Sequence, residues 1–318
     1  MDIVSAFEIL VKSMLFASAP LILTALGGVF SERSGVVNIG LEGLMVIGAF
    51  AAVVFNLTFA STFGAATPWV ALLAAMGIGG LFSLIHAVAS ITFRANQVVS
   101  GVAINFLAVG LGVFLVKAWY GAGQTAKIPV PMYYTQIPIL SDIPVIGPMF
   151  FNNYLTSYLA IIVAIIAWFV LFKTPFGLRL RSVGEHPLAA DTMGINVFKM
   201  RYIAVFISGV LGGLGGGVYA QTISQDFSGG TITGQGFIAL AAVIFGKWHP
   251  LGAMGAALFF GLAQSLAIIG GSFPLLSDVP NWALLSAPYI LTILALAGFI
   301  GRADAPKAIG TPYIKGKR

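Results

Sequence analysis

The chain has 318 residues, 58% of them hydrophobic and only 8% charged, whereas a soluble domain carries about 25% charged residues. So few charges exclude a water-covered globular surface, and the absence of cysteine excludes disulfides, thiolate chemistry and cysteine-held metals. The net charge of +6 does not point to nucleic acid, because the basic residues lie in loops beside apolar runs, where they set membrane orientation.

A membrane span needs about 20 apolar residues. Apolar runs at 7–29, 36–57, 68–93, 98–119, 154–173, 201–222, 235–248, 251–271 and 283–301 predict an all-α, polytopic helical bundle of about nine transmembrane segments. The first run reads as a retained helix and not a signal peptide, because Met1-Asp2-Ile3 has neither a basic region nor a cleavage site. The seventh is too short to cross alone. Its start, Gly229 to Gly236, is polar and glycine-rich, as expected of a half-length helix lining a cavity; whether 235–248 crosses or re-enters is left open. The 39 glycines suit close helix approach.

The side formed by the loops at 30–35, 94–97, 174–200 and 247–250 and the C-terminal tail, with the flanking Lys173 and Arg201, holds 13 of the 16 basic residues. Only Lys12, Lys117 and Lys127 lie elsewhere. The positive-inside rule makes the rich side cytoplasmic, and nine crossings then put the N-terminus outside and the C-terminus inside. The opposite side carries one long loop, 120–153, with prolines at 129, 131, 138, 144 and 148 that forbid a long helix. It is an ordered cap or a flexible loop. No soluble catalytic domain fits, so 1–318 is expected to form one transmembrane domain.

In the 174–200 loop, Pro187 suits the first position of a helix and Gly194 the left-handed position just past its end. The two-turn helix between them offers Ala189, Ala190 and Met193 on its surface, flanked by Arg179, Arg181 and Glu185. A helix this short is marginal alone; it either docks into a partner or packs on its own membrane domain.

Polar residues inside spans are costly and often functional. Asn38 and Glu42 share a helix face, among Gly35, Gly40 and Gly43; they line a cavity or sit at an interfacial helix start. Asn96, Gln97, Ser100 and Asn105 open the fourth span. Their amides could read a base edge or sugar hydroxyls, or join helices. Gln235 and Gln264 are weaker candidates of the same kind, and Phe237 offers a stacking surface. The glycine run Gly209–Gly217 lacks the strand–helix setting of a nucleotide-binding fingerprint and reads as tight packing or a hinge. His86, His186 and His249 are too dispersed to form a metal cluster. Intramembrane catalysis lacks a nucleophile–base pair or metal ligands at membrane depth.

Four stretches carry a family resemblance: Phe30 to Gly43, Ala95 to Gly101, Gly184 to Pro187, and the short Ala-Ala…Gly helix. Over nearly its whole length the chain resembles ABC importer permeases of the branched-chain amino acid/simple sugar permease family, within it the nucleoside branch served by basic-membrane-protein-type lipoproteins. The resemblance implies a vitamin B12-permease-like type II importer fold, here without the first span of the ten-helix version. It implies a multi-pass protein of the bacterial cytoplasmic membrane. The implied partners are a cytoplasmic ABC ATPase, an identical or homologous second permease and an extracytoplasmic substrate-binding lipoprotein. ATP and magnesium belong to the ATPase; no lysine of this chain completes a Walker A motif, and no cofactor or enzymatic activity is expected of it. The ATPase-coupling loop then comprises Arg179, Arg181, Glu185, His186, Pro187, Ala189, Ala190 and Gly194. The candidate translocation pathway comprises Asn38, Glu42, Asn96, Gln97, Ser100, Asn105, Gln235 and Phe237. Simple sugars and branched-chain amino acids are alternative solutes. A stand-alone ion-coupled carrier is the alternative from another class, although only Glu42 offers it a mid-membrane ionisable group.

Overall fold

In the computed structural model the described residues are 3–269, 279–280, 283, 286, 290 and 305–316. The expected ninth segment, 283–301, lies largely outside them. The long helices are α1 (Ile3–Arg33), α2 (Leu41–Phe63), α3 (Thr67–Ala87), α4 (Gln97–Tyr120), α6 (Leu155–Lys173), α9 (Val197–Tyr219) and α11 (Pro250–Ile269). Shorter ones are α5 (Ile146–Phe150), α7 (Pro175–Glu185), α8 (Pro187–Thr192) and α10 (Gln235–Phe245).

Among the described residues, six stretches are long and apolar enough to cross a membrane. The second, Leu41–Thr92, runs for 52 residues and contains both α2 and α3. These pack side by side about a turn at Gly64, whose φ of +50° a side chain would disfavour. The chain is an all-α, multi-pass membrane protein. With 11 residues, α10 rises about 16 Å, half of a hydrocarbon core of about 30 Å.

Helix α9 sits at the centre, packed against α1, α2 and α3. Its glycine run is the packing stripe: a Cβ on Gly213 would fall on the Ala75 carbonyl of α3, and one on Gly216 on the Met45 carbonyl of α2. The backbones meet directly there, the arrangement that small residues allow in lipid.

At one end of the bundle lie Arg33, the extended residues 36–38, α7, α8 and the tail 305–316. The tail is strapped down by Ala308 N–H to Gly184 O (2.9 Å) and Gly310 N–H to Gly35 O (3.1 Å). Buried Arg201 donates to Ser34 O (3.2 Å) and Thr311 O (3.0 Å). At the other end, 121–154 folds into an ordered cap. Strands β1 (Thr135–Gln136) and β2 (Asn152–Asn153) pair antiparallel, Thr135 opposite Asn153. Thr125, Ile128 and Met132 N–H groups donate to Phe227, Gln225 and Gln221 carbonyls at 2.8–3.1 Å.

Two details of the 174–200 loop depart from expectation. Residues 175–185 form helix α7, started by Thr174, whose hydroxyl accepts from Gly177 N–H at 3.3 Å, and by Pro175 in the first turn. Ala190, expected on the surface of α8, is buried in the main apolar core. A six-residue helix lying on α9 must turn one residue per turn inward, and that residue is Ala190; Leu188, Ala189 and Met193 remain exposed. Pro187 starts α8 and Gly194, with φ of +79°, ends it, as the sequence indicates.

Candidate functional site

The interior polar chemistry gathers where α10 begins. After α9 the chain passes through a π-helical turn (220–224) and an irregular stretch, 225–234, that runs into the bundle before α10 starts. Phe227 packs edge-on to Phe50 of α2, with ring centres 5.3 Å apart. Gly234 N–H then donates to Glu42 Oε1 (2.5 Å) and Gly236 N–H to Glu42 Oε2 (2.6 Å). Both carboxylate oxygens therefore hold the N-terminus of a half-helix, where free N–H groups and the helix dipole favour an anion. Gly236 is a glycine because a Cβ there would meet the Glu42 backbone.

The other interior polar residues brace residues 37–43. Gln97 Oε1 accepts from Val37 N–H (2.7 Å). Ser100 Oγ meets His86 Nδ1 at 2.9 Å, and His86 Nε2 meets Val37 O at 3.0 Å. Asn105 accepts from Gly43 N–H (2.8 Å) and donates to Ile39 O (3.1 Å). Asn38 donates to Ser208 Oγ of α9 (2.9 Å). Asn96 is exposed and caps α4, accepting from Val98 and Val99 N–H. In these residues the helix-joining role accounts for the hydrogen bonds. The Asn38 Oδ1 and Gln97 Nε2 atoms are buried without a partner. Gln235 donates to the Tyr219 hydroxyl at 3.2 Å and accepts from Thr233 N–H at 2.5 Å; it is part-exposed, and Phe237 is half exposed beside it. Both lie next to the Glu42-held helix start, Gln235 with its amide oxygen and nitrogen each bonded and Phe237 with its ring half exposed.

An apolar cleft of about 460 Å³ opens between α2, α3 and α4. Phe50, Phe55, Phe59, Phe82 and Trp119 line it, and Thr58 supplies its one hydroxyl. A solute rich in hydrogen-bonding groups needs convergent polar partners, which this cleft does not supply.

At the basic end, Glu185, His186, Leu188 and Ala189 lie at the α7–α8 junction. Beside them a groove of about 350 Å³ is flanked by Arg179 and Lys199 and floored by Met193 and Met200. Arg181 lies over the Phe172 ring at 4.6 Å and Arg33 over the same ring at 5.8 Å. The His249 ring lies tilted at 43° to Phe172, with ring centres 4.7 Å apart. Burial and the neighbouring Arg33 guanidinium both hold its imidazole below the usual range. Among the described residues no group of three His, Asp or Glu side chains could hold a metal.

Residues 10–296 match the family described as branched-chain amino acid transport system / permease component. The chain belongs to this permease family. Over its full length the permease is 70% identical to the whole of a guanosine ABC transporter permease protein of Bacillus subtilis. It is 56% identical, also over the full length of both chains, to a nucleoside ABC transporter permease protein of Lactococcus lactis. It is 32% identical to a putative glucose ABC transporter permease protein of Haloferax volcanii over 93% of each chain.

Four buried polar residues of the permease escaped the sequence reading. Glu32 accepts from the Trp248 indole N–H at 2.5 Å, and Arg201 holds the tail. Asn56 donates to Val130 O (2.7 Å) and Gln221 Oε1 (2.8 Å), and Gln221 donates to Ala52 O (3.0 Å). Glu32 reads as loop because Ser31-Glu32-Arg33-Ser34 is polar. Asn56 and Gln221 had a legible signal, each being a lone amide inside an apolar run.

Proposed function

We propose that this protein is the membrane-spanning permease subunit of an ATP-driven ABC importer for nucleosides. The observation that carries the reading is the end-to-end identity of 70% with a permease described as guanosine-transporting, reinforced by 56% with a nucleoside permease. The subunit provides a path and a switch and has no hydrolytic chemistry of its own. In this reading it lies in the bacterial cytoplasmic membrane with the vitamin B12-permease-like type II fold of about nine segments. It pairs with a second permease and two cytoplasmic ATPases that bind ATP and magnesium, and takes solute from an external lipoprotein.

The basic end faces the cytoplasm on this account, by the positive-inside rule. The loop 174–200 engages the ATPase through Leu188, Ala189 and Met193, with Arg179, Arg181, Glu185 and His186 around them. The cap 120–153 receives the binding protein. At the start of α10, Phe237 supplies a ring for stacking, and Gln235 supplies an amide for a base edge or ribose hydroxyl by exchanging its bonds to Thr233 and Tyr219. An ion-coupled carrier is disfavoured, since both oxygens of Glu42 are already spent on backbone N–H groups.

The test is affinity isolation of the tagged chain from native membranes with mass spectrometry of its companions. Recovery of a Walker-motif ATPase is expected. Recovery of the chain alone, still transporting after reconstitution, would defeat the proposal.

A further inference from the structure

Helix α10 is gripped at one end by the first turn of α2 and at the other by the last turn of α1. Its N-terminus rests on Glu42, as described. At its other end the turn Gly246–His249 is held by two consecutive side chains of α1. Arg33 Nε donates to Trp248 O at 2.7 Å and its Nη2 reaches Lys247 O at 3.3 Å, while Glu32 accepts the Trp248 indole N–H. An anion at the N-terminus and a cation at the C-terminal carbonyls both match the helix dipole. Between the two grips α10 lies tight on α1, since a Cβ on Gly28 would come within 2.8 Å of Val243 Cγ2. The half-helix is thus a short rod fixed at two points.

The lower grip is strained. Lys247 and Trp248 have φ of +55° and +52°, a left-handed pair that side chains disfavour and that persists only where its surroundings over-determine it. The turn's own bonds, Lys247 N–H to Ile244 O (2.9 Å) and Trp248 N–H to Val243 O (3.0 Å), hold it from within, and the Arg33 and Glu32 contacts hold it from α1. Those contacts adjoin the α7–α8 unit. The Gly184 backbone lies so close to the Arg33 carbonyl that a Cβ would overlap it, Arg33 and Arg181 share the Phe172 ring, and Glu185 lies within electrostatic reach of the Arg33 guanidinium. Arg33 therefore meets the α7–α8 unit through its carbonyl, at Gly184, and shares the Phe172 ring of α6 with Arg181, while its guanidinium holds the strained turn of the rod.

We infer that Arg33 is the positioning residue through which movement of the α7–α8 unit is passed to α10, and so to Thr233, Gln235 and Phe237 at the rod's far end. The strained turn is the joint, and Glu42 makes the rod's far end move with α2. The inference rests on the reading of 174–200 as the ATPase-contacting loop. It adds where the signal goes from there. Arg33 itself touches no solute.

The chain has no cysteine, so an introduced cysteine is its one thiol and its alkylation is read on this chain after the subunits are separated. In the full transporter with its ATPase and binding protein, reconstituted in nanodiscs, Thr233→Cys and Thr192→Cys are alkylated with and without ATP and vanadate, and uptake per ATP hydrolysed is measured in liposomes. Nucleotide is expected to change the Thr233→Cys rate at least threefold and to protect Thr192→Cys at the end of α8. Adding Arg33→Met should abolish the Thr233→Cys response, keep the Thr192→Cys protection and cut uptake per ATP at least tenfold; Arg33→Lys should restore part of both. A Thr233→Cys response that survives Arg33→Met, or uptake per ATP within twofold of the parent, overturns the inference. If Arg33→Met fails to assemble, Arg33→Gln, which removes the guanidinium but keeps a polar side chain, is judged by the same two criteria. Failure of nucleotide to protect Thr192→Cys in the otherwise unmodified chain defeats the ABC reading itself, and the inference with it; protection without any Thr233→Cys response defeats the inference alone.

Discussion

Asn56 and Gln221 join α2, the cap segment 121–132 and the π-helical turn after α9, and their pairing yields a quantitative prediction. Asn56→Leu deletes the bonds to Val130 O and Gln221 Oε1, about 1 kcal/mol each, and strands a buried amide oxygen for about 1 more. The expected loss is about 3 kcal/mol. Gln221→Leu deletes the same shared bond and the one to Ala52 O, for about 2 kcal/mol. In the double variant the shared bond is counted once and no amide is stranded, so the cost is about 3 kcal/mol and not the additive 5. Reversible unfolding of the four proteins in one detergent measures the cycle. A coupling near 2 kcal/mol supports the network; additivity within about 0.5 kcal/mol would refute it.

Three other outcomes follow from the packing. Ala189→Arg should leave thermal stability unchanged and abolish solute-coupled ATP hydrolysis, whereas Ala190→Arg should destabilise the fold, because Ala190 is buried and Ala189 exposed; melting curves beside ATPase assays separate them. Gly216→Val drives a side chain into the Met45 carbonyl and should cost about 3 kcal/mol or more, seen as loss of monodisperse protein on gel filtration. Because His249 is held below the unfolded value of about 6.5, its contribution is intact above that pH and is lost as pH falls through it toward the folded value; His249→Gln should flatten the melting temperature between pH 7 and 5, and an unchanged slope would contradict this.

Much of the architecture was legible because lipid leaves the backbone few options. Apolar length locates the spans, and the shortness of 235–248 with its polar glycine start marks a half-helix. Pro187 and Gly194 fix α8 through local backbone rules. What could not be read was pairing. Glu42 reads from the sequence as a cavity residue or part of an interfacial helix start, and its two donors, Gly234 and Gly236, lie almost 200 positions later. Asn96, Gln97, Ser100 and Asn105 share the composition of a binding site and of a set of braces, and only three-dimensional partners separate the two. Ala190 is buried where the sequence predicts a surface position, because the inward face of a short helix depends on what it lies against. Glu32 and Arg33 look like a polar loop, yet they form the end of α1 and hold a turn more than 200 residues away.

The central claim is tested most directly by uptake of radiolabelled guanosine into proteoliposomes holding this permease with its companion permease and ATPase, the binding protein outside and ATP either present or absent within. The account predicts uptake only when luminal ATP and the ATPase are both present, and unchanged uptake when ionophores collapse all ion gradients. Guanosine accumulation by this chain alone, driven by an ion gradient without ATP, would contradict it.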